Sequence, residues 1–279
     1  MTIAAARLRC PDCAKPIGPL AGPAACPGCG RAFAPVGGVW DLRPNALAPA
    51  QANEDRAQAG AGEPTWRRLV FHKRYWLEWC DTRWLPQVVD RSTRTFLEIG
   101  GGLCYASALA KARAPDAWVA ATDVSPRYLR RDAVRAGAIM ETPADAYAAV
   151  DAEAIPFDDG EFDAVYSQVV LYRLPDPARA LREIHRVLAP GGRYLGIERA
   201  SPWLPPFFRA EARTMRARAE AAGIAERPIS LRGWQRVLAE AGFGPECLRL
   251  EPGGRVRSAR LRRLGNGVRP VYVSIRLTR

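Results

Sequence analysis

The chain has 279 residues, 48% of them apolar and 25% charged, and its basic residues exceed its acidic ones by 12. That length and apolar share allow a sizeable core, arranged as one large domain with a small accessory, and exclude a disordered chain. No apolar run reaches the ~18–20 residues that cross a bilayer, and the stretch Met1 to Arg9 is too soon broken by arginine to read as a secretory signal, so a cytoplasmic protein without membrane insertion is expected.

The amino-terminal segment carries two Cys-x-x-Cys knuckles, Cys10/Cys13 and Cys26/Cys29, separated by twelve residues. Four thiolates at this spacing suit one tetrahedral Zn²⁺, with no position left open for water, which makes the site structural. Two disulfides or free thiols are the other readings, and a reducing compartment disfavours the first. A module of about forty residues cannot build a sufficient core, so the metal would supply folding energy. Residues 1–44 are therefore read as a zinc ribbon. Residues 45–64, rich in Ala, Gly, Pro and Gln without an apolar period, read as a linker.

From Trp66 to Val89 the apolar residues recur at helical spacing, which predicts covering helices over 65–95. Next comes Phe96-Leu97-Glu98-Ile99-Gly100-Gly101-Gly102-Leu103-Cys104, a strand running into a glycine turn and a helix from Tyr105 to Lys111. Glycine lets a backbone turn sharply and approach a ligand closely. Such a turn at the end of a parallel strand is a docking point for nucleotide-like groups, although a purely structural turn has the same sequence. About two dozen residues on, Trp118 to Thr122 reads as a second strand ending in Asp123, the spacing at which a carboxylate meets ribose hydroxyls. Val124-Ser125-Pro126 reads as a helix start. Further strands are expected near 147–150, 162–167, 192–198, 246–251 and 270–277, with a helix from Phe207 to Ala222 and another from Ser230, its N-cap, to a stop at Gly242. Alternating strands and helices imply a mostly parallel, doubly wound α/β sheet.

The ordered series LEIGGG, TDVSP, DAEAIPFDDGEFDAVYS and LPDPARALREIHRVLAPGG, from about Phe96 to Ile197, resembles class I S-adenosylmethionine-dependent methyltransferases, and most of all the ubiquinone and menaquinone C-methyltransferase branch. The resemblance implies a Rossmann-like, seven-stranded sheet in a domain spanning 65–279, with 201–229 as a lid insertion. It also implies roles. Gly100 and Gly102 would approach the methionine portion of the cofactor. Asp123, beside Val124, would take both ribose hydroxyls. Asp151 would take the adenine amine, with Ala152 donating its backbone N–H to the ring. Ser167 and Gln168 would lie near the methyl group. Glu98 and the covering-helix residue Tyr75 complete the cofactor set. Either aspartate could instead be a helix cap or turn residue. The chain departs from the family pattern at Cys104, where a third glycine is common, and at Tyr172, where close relatives often carry histidine.

No general base stands out. His72, Gln168 and Glu198 are the candidates for catalysis, and His185 reads as a packing or surface residue. The positive charge concentrates after Ser201, where 16 arginines face 6 carboxylates, most densely at Arg255, Arg257, Arg260, Arg262 and Arg263. Three functions remain open: a methyltransferase acting on a small molecule, as in a biosynthetic pathway; an RNA base methyltransferase that uses the ribbon and the arginines to grip phosphates; and a catalytically idle partner protein.

Overall fold

The computed structural model describes residues 3, 6–60, 74–201, 229–251 and 271–279, of which 50, 54, 57–60 and 74–76 are described in backbone only. Several expectations lie outside the described residues: His72, the side chain of Tyr75, residues 202–228 of the lid insertion expected over 201–229, and the arginine cluster from Arg255 to Arg263.

Strands β1 (Ala24–Ala25) and β2 (Ala32–Phe33) pair antiparallel beside the cysteine knuckles. β3 (Val39–Asp41) leaves that hairpin and joins the main sheet. Helix α1 (Pro49–Gly60) follows, inside the segment expected as a linker. Proline opens it, where its missing N–H costs nothing, and alanine, glutamine and other good helix formers continue it. Helix α2 (Arg74–Trp79) passes into a wider turn at Cys80–Trp84 and a tighter one at Leu85–Gln87, which end the covering segment.

The core alternates as expected. β4 (Thr95–Ile99), α3 (Tyr105–Arg113), β5 (Trp118–Asp123), α4 (Pro126–Tyr128), α5 (Val134–Ile139), β6 (Ala146–Ala149), β7 (Phe162–Gln168), α6 (Pro177–Val187), β8 (Leu188–Ala200), α7 (Leu231–Glu240), β9 (Leu248–Leu250) and β10 (Val271–Thr278) follow in order. The sheet runs β3-β6-β5-β4-β7-β8-β10-β9. β10 pairs antiparallel with both β8 and β9; the other pairings are parallel. The seven expected strands are all present, and β3 is the eighth. Parallel strands buried on both faces need continuous apolar runs, and β4, β5 and β6 are buried almost throughout.

The strand order reverses between β5-β4 and β7, so the carboxyl ends of β4 and β7 flank the switch point of the sheet, where ligands bind in open α/β folds. Predicted caps are in place: the Ser125 hydroxyl accepts the Tyr128 amide at 3.3 Å and the Ser230 hydroxyl accepts that of Gly233 at 3.1 Å, while Gly242 ends α7 in the left-handed region.

The four-cysteine segment does not have a core of its own. Ile3, Leu8, Leu20, Phe33, Trp40 and Leu42 belong to the same buried cluster as Phe157, Val150 and Leu97 of the main domain. Trp40 is 1% exposed. Burying an indole removes about 150–250 Å² from water, on the order of 4–6 kcal/mol, and this anchors β3 at the sheet edge.

Candidate functional site

The glycine turn after β4 is built by its neighbours. Gly100 has φ +62°, and an added Cβ would lie 2.6 Å from a methyl of Val170. At Gly101 the added atom would meet the Glu98 carboxyl carbon at 2.7 Å. Glu98 itself is turned toward α3: its Oε2 accepts the Ser107 amide at 2.7 Å and the Ser107 hydroxyl at 2.6 Å. Burial pushes its pKa up to about 7, and those hydrogen bonds and the helix N-terminus oppose the rise. Glu98 thus holds the turn and the helix it opens. Cys104, the departure from the glycine pattern, adopts φ 54° at the start of α3 and is 3% exposed. Its thiol is pushed well up by burial, which argues against a nucleophile and for a packing residue that leaves the turn intact.

Asp123 ends β5 and is 3% exposed. Its Oδ2 accepts the Gly102 amide at 2.9 Å and its Oδ1 the Ser125 amide at 3.0 Å. Asp151 follows β6 and is 7% exposed; its Oδ1 accepts the Glu153 amide at 2.9 Å. Ala152 is buried beside it. The Val124 carbonyl accepts from Arg43 at 3.0 Å. Gly100, Gly102, Asp123, Val124, Asp151 and Ala152 therefore come together at the carboxyl ends of three adjacent strands.

The residues expected near the methyl group divide. The Ser167 hydroxyl, fully buried, pairs with the Tyr194 hydroxyl at 2.8 Å. Gln168 is half-buried, and its Oε1 accepts from Tyr105 at 2.7 Å and Tyr166 at 2.9 Å, which turns its NH₂ away from both rings. Glu198 is fully buried; Oε1 accepts the Val170 and Leu171 amides at 3.0 and 2.9 Å, and Oε2 has no partner among the described residues. Burial pushes its pKa up to about 7. It holds the loop after β7, where the β-branched Val169 sits at φ 61°, a conformation that persists only when its surroundings impose it. His185 packs on the Phe243 ring, as a structural histidine would.

Three residues escaped the sequence reading, two of them because α1 did. Gln51 is 4% exposed and donates Nε2 to Asp151 Oδ1 at 3.4 Å. Asp55 accepts the Ser125 hydroxyl at 2.6 Å. Arg43 bridges Asp41 at 2.6 Å and Asp55 at 2.9 Å. The signal that would have found α1 is the proline at Pro49 followed by a run of helix formers.

At the amino end, the thiolate sulfurs of Cys10, Cys13, Cys26 and Cys29 lie within 4.8 Å of one another. The Cys10–Cys29 and Cys13–Cys26 pairs stand 3.6 and 3.5 Å apart. A disulfide needs about 2.05 Å, whereas a tetrahedral metal with bonds of about 2.3 Å sets its sulfurs about 3.8 Å apart. The Gly28 amide donates to the Cys26 sulfur at 3.3 Å, as thiolate ligands require. The donor set fits a metal.

Comparison with known proteins bears on the domain and the fold. Residues 97–196 match the family described as a methyltransferase domain. A demethylmenaquinone methyltransferase of Thermus thermophilus is 35% identical over 129 residues, 44% of this chain and 56% of that protein. The ubiquinone/menaquinone biosynthesis C-methyltransferase of an Enterobacter species is 41% identical over 64 residues, 23% of this chain and 26% of that protein. The chain thus spans about half, or less, of the curated relatives it matches. Among solved structures, a phosphoethanolamine N-methyltransferase of Haemonchus contortus, bound to phosphomonomethylethanolamine and S-adenosylhomocysteine, superimposes with a TM-score of 0.59 at 14% identity, covering 85% of this chain and 61% of that one. A geranyl diphosphate methyltransferase bound to its diphosphate and sinefungin gives 0.58 at 15%, covering 83% and 100%. These likenesses establish the fold.

Proposed function

We propose, from the premise that residues 97–196 are a methyltransferase domain, that this protein transfers a methyl group from S-adenosylmethionine to a small-molecule acceptor. The observation that carries the reading is the pair of buried carboxylates, Asp123 and Asp151, at the ends of neighbouring strands beside the glycine turn. This donor set fits an adenosine: a carboxylate for the ribose diol and another for the exocyclic amine, with side-chain-free backbone alongside.

S-adenosylmethionine, when bound, supplies an electrophilic methyl on a sulfonium. What the protein must then do is position the acceptor and exclude water. Asp123 would orient the ribose while keeping the Gly102 turn closed. Gln168, its carbonyl clamped by two phenols, would present a fixed amide near the transfer site. The small-molecule reading draws on the quinone methyltransferase relatives, whose names describe such acceptors. The four cysteines are assigned a structural Zn²⁺, which fits an all-thiolate donor set.

The experiment is to incubate the protein and methyl-labelled S-adenosylmethionine with two acceptor pools, a cell extract's small-molecule fraction and bulk RNA. Label in the small-molecule pool, with matching S-adenosylhomocysteine, supports the reading. Label confined to RNA transfers it to nucleic acid, and no turnover with either pool points to the idle partner. Elemental analysis should return one zinc per chain.

A further inference from the structure

Gln51 is matched at one end of its amide and unmatched at the other. It sits in the first turn of α1, outside the 97–196 domain, and is 4% exposed. Its Nε2 faces Asp151 Oδ1 at 3.4 Å. An ionised carboxylate only accepts, so the amide has to present its nitrogen to Asp151, and the flipped orientation would set oxygen against oxygen. Gln51 Oε1 is thereby left buried with no hydrogen-bond partner among the described residues. Native proteins rarely leave such an atom orphaned unless a water, an ion or a ligand satisfies it. Asp151 Oδ1 is already taken by the Glu153 amide at 2.9 Å, which leaves Oδ2 to face a ligand.

Two side chains in contact, one on α1 and one after β6, thus each keep an acceptor oxygen without a partner among the described residues. A group that would satisfy both acceptors at once is one with two N–H bonds on a single atom, a planar amine. We propose that Gln51 is an adenine-reading residue, its carbonyl taking the second N–H of the exocyclic amine whose first goes to Asp151. This rests on the cofactor reading above and adds a specificity determinant to it. A purine with oxygen at the same position would set its carbonyl against both acceptors and be rejected. The helix that carries Gln51 is itself held in place, because Asp55, one turn on, accepts from Ser125 at 2.6 Å and pairs with Arg43 at 2.9 Å.

The test compares binding of S-adenosylhomocysteine and S-inosylhomocysteine, which differ in amine against carbonyl at that carbon and in the proton that the carbonyl form carries on the adjacent ring nitrogen, to the full-length protein by calorimetry; the change of their ratio in a Gln51 variant isolates Gln51 from the ring-nitrogen contact. The wild type should prefer the amine by at least about a hundredfold, and Gln51→Leu should shrink that preference about tenfold, the order of one hydrogen bond with its desolvation. If the leucine variant fails to fold, Gln51→Asn, which draws the amide back by one methylene, should narrow the ratio likewise. An unchanged ratio in a folded variant, whatever the absolute affinity, overturns the proposal and leaves the cofactor reading standing. Failure of the wild type to bind either probe overturns both.

Discussion

The Gly102 amide donates to Oδ2 of Asp123 at 2.9 Å, so the glycine turn after β4 is tied to the end of the neighbouring strand β5. The same carboxylate also receives the Ser125 amide, at 3.0 Å, and so organises both loops. Asp123→Asn retains one acceptor and opposes an NH₂ to the other amide. It should weaken cofactor binding about as much as Asp123→Ala, by more than about tenfold, because charge-assisted bonds are lost in either case. Parallel titrations of the two variants check this; an asparagine variant that binds like the wild type would mean the ribose role belongs elsewhere.

Gly100 and Val170 fix a second relationship. The left-handed backbone at Gly100 and the 2.6 Å approach of the Val170 methyl leave no room for a Cβ. Gly100→Ala should lower stability by about 1–3 kcal/mol through backbone strain and overpacking, and Gly100→Ala combined with Val170→Ala should recover part of that loss. Denaturant unfolding of the single and double variants measures it.

Glu198 supplies a pH dependence with a definite sign. Its folded pKa is raised from 4.5 to about 7 by burial. Between those values the unfolded chain releases a proton that the folded chain retains. The stability this group contributes is complete below about pH 4.5 and is lost as pH climbs through 7. Over that window the change is on the order of 3 kcal/mol. Glu198→Gln removes the titration, so wild type should lose stability relative to the variant as pH rises from about 4.5 to about 7.5. A stability difference that stays level with pH would contradict this.

Metal removal should reach the cofactor site through the backbone. The Leu42 amide donates to the Ala149 carbonyl at 2.9 Å on one side of Asp151, and the Arg9 amide to Pro156 at 2.8 Å on the other. Arg9 also pairs with Asp158 at 2.6 Å. The cysteine segment thus grips both flanks of the Asp151 loop. If the metal supplies its folding energy, chelation should weaken S-adenosylhomocysteine binding at least about fivefold, and returned zinc should restore it. Equal affinity before and after stripping would separate the two sites.

Much of the sheet was legible because each strand is a short apolar run bounded by turn residues, and the linked motifs placed Asp123 and Asp151 at strand ends. β3 was not legible as a strand of the main sheet, since three residues, Val39, Trp40 and Asp41, show no period and their partner Tyr147–Ala149 lies over a hundred residues away. Helix α1 hid for a different reason: its alanines and glutamines give almost no amphipathic contrast, although propensity favours a helix there. With α1 went Gln51 and Asp55. At Glu98 and Ser167 the motif marks the residue, but the direction of the side chain depends on Ser107 and Tyr194, contacts that no local pattern encodes.

Calorimetric titration of S-adenosylhomocysteine into the full-length protein tests the central claim most directly. One-to-one binding with a dissociation constant in roughly the micromolar range, weakened by more than about tenfold in Asp123→Ala, is the predicted result. No binding to the folded wild type, or equal affinity in the Asp123→Ala variant, would contradict it.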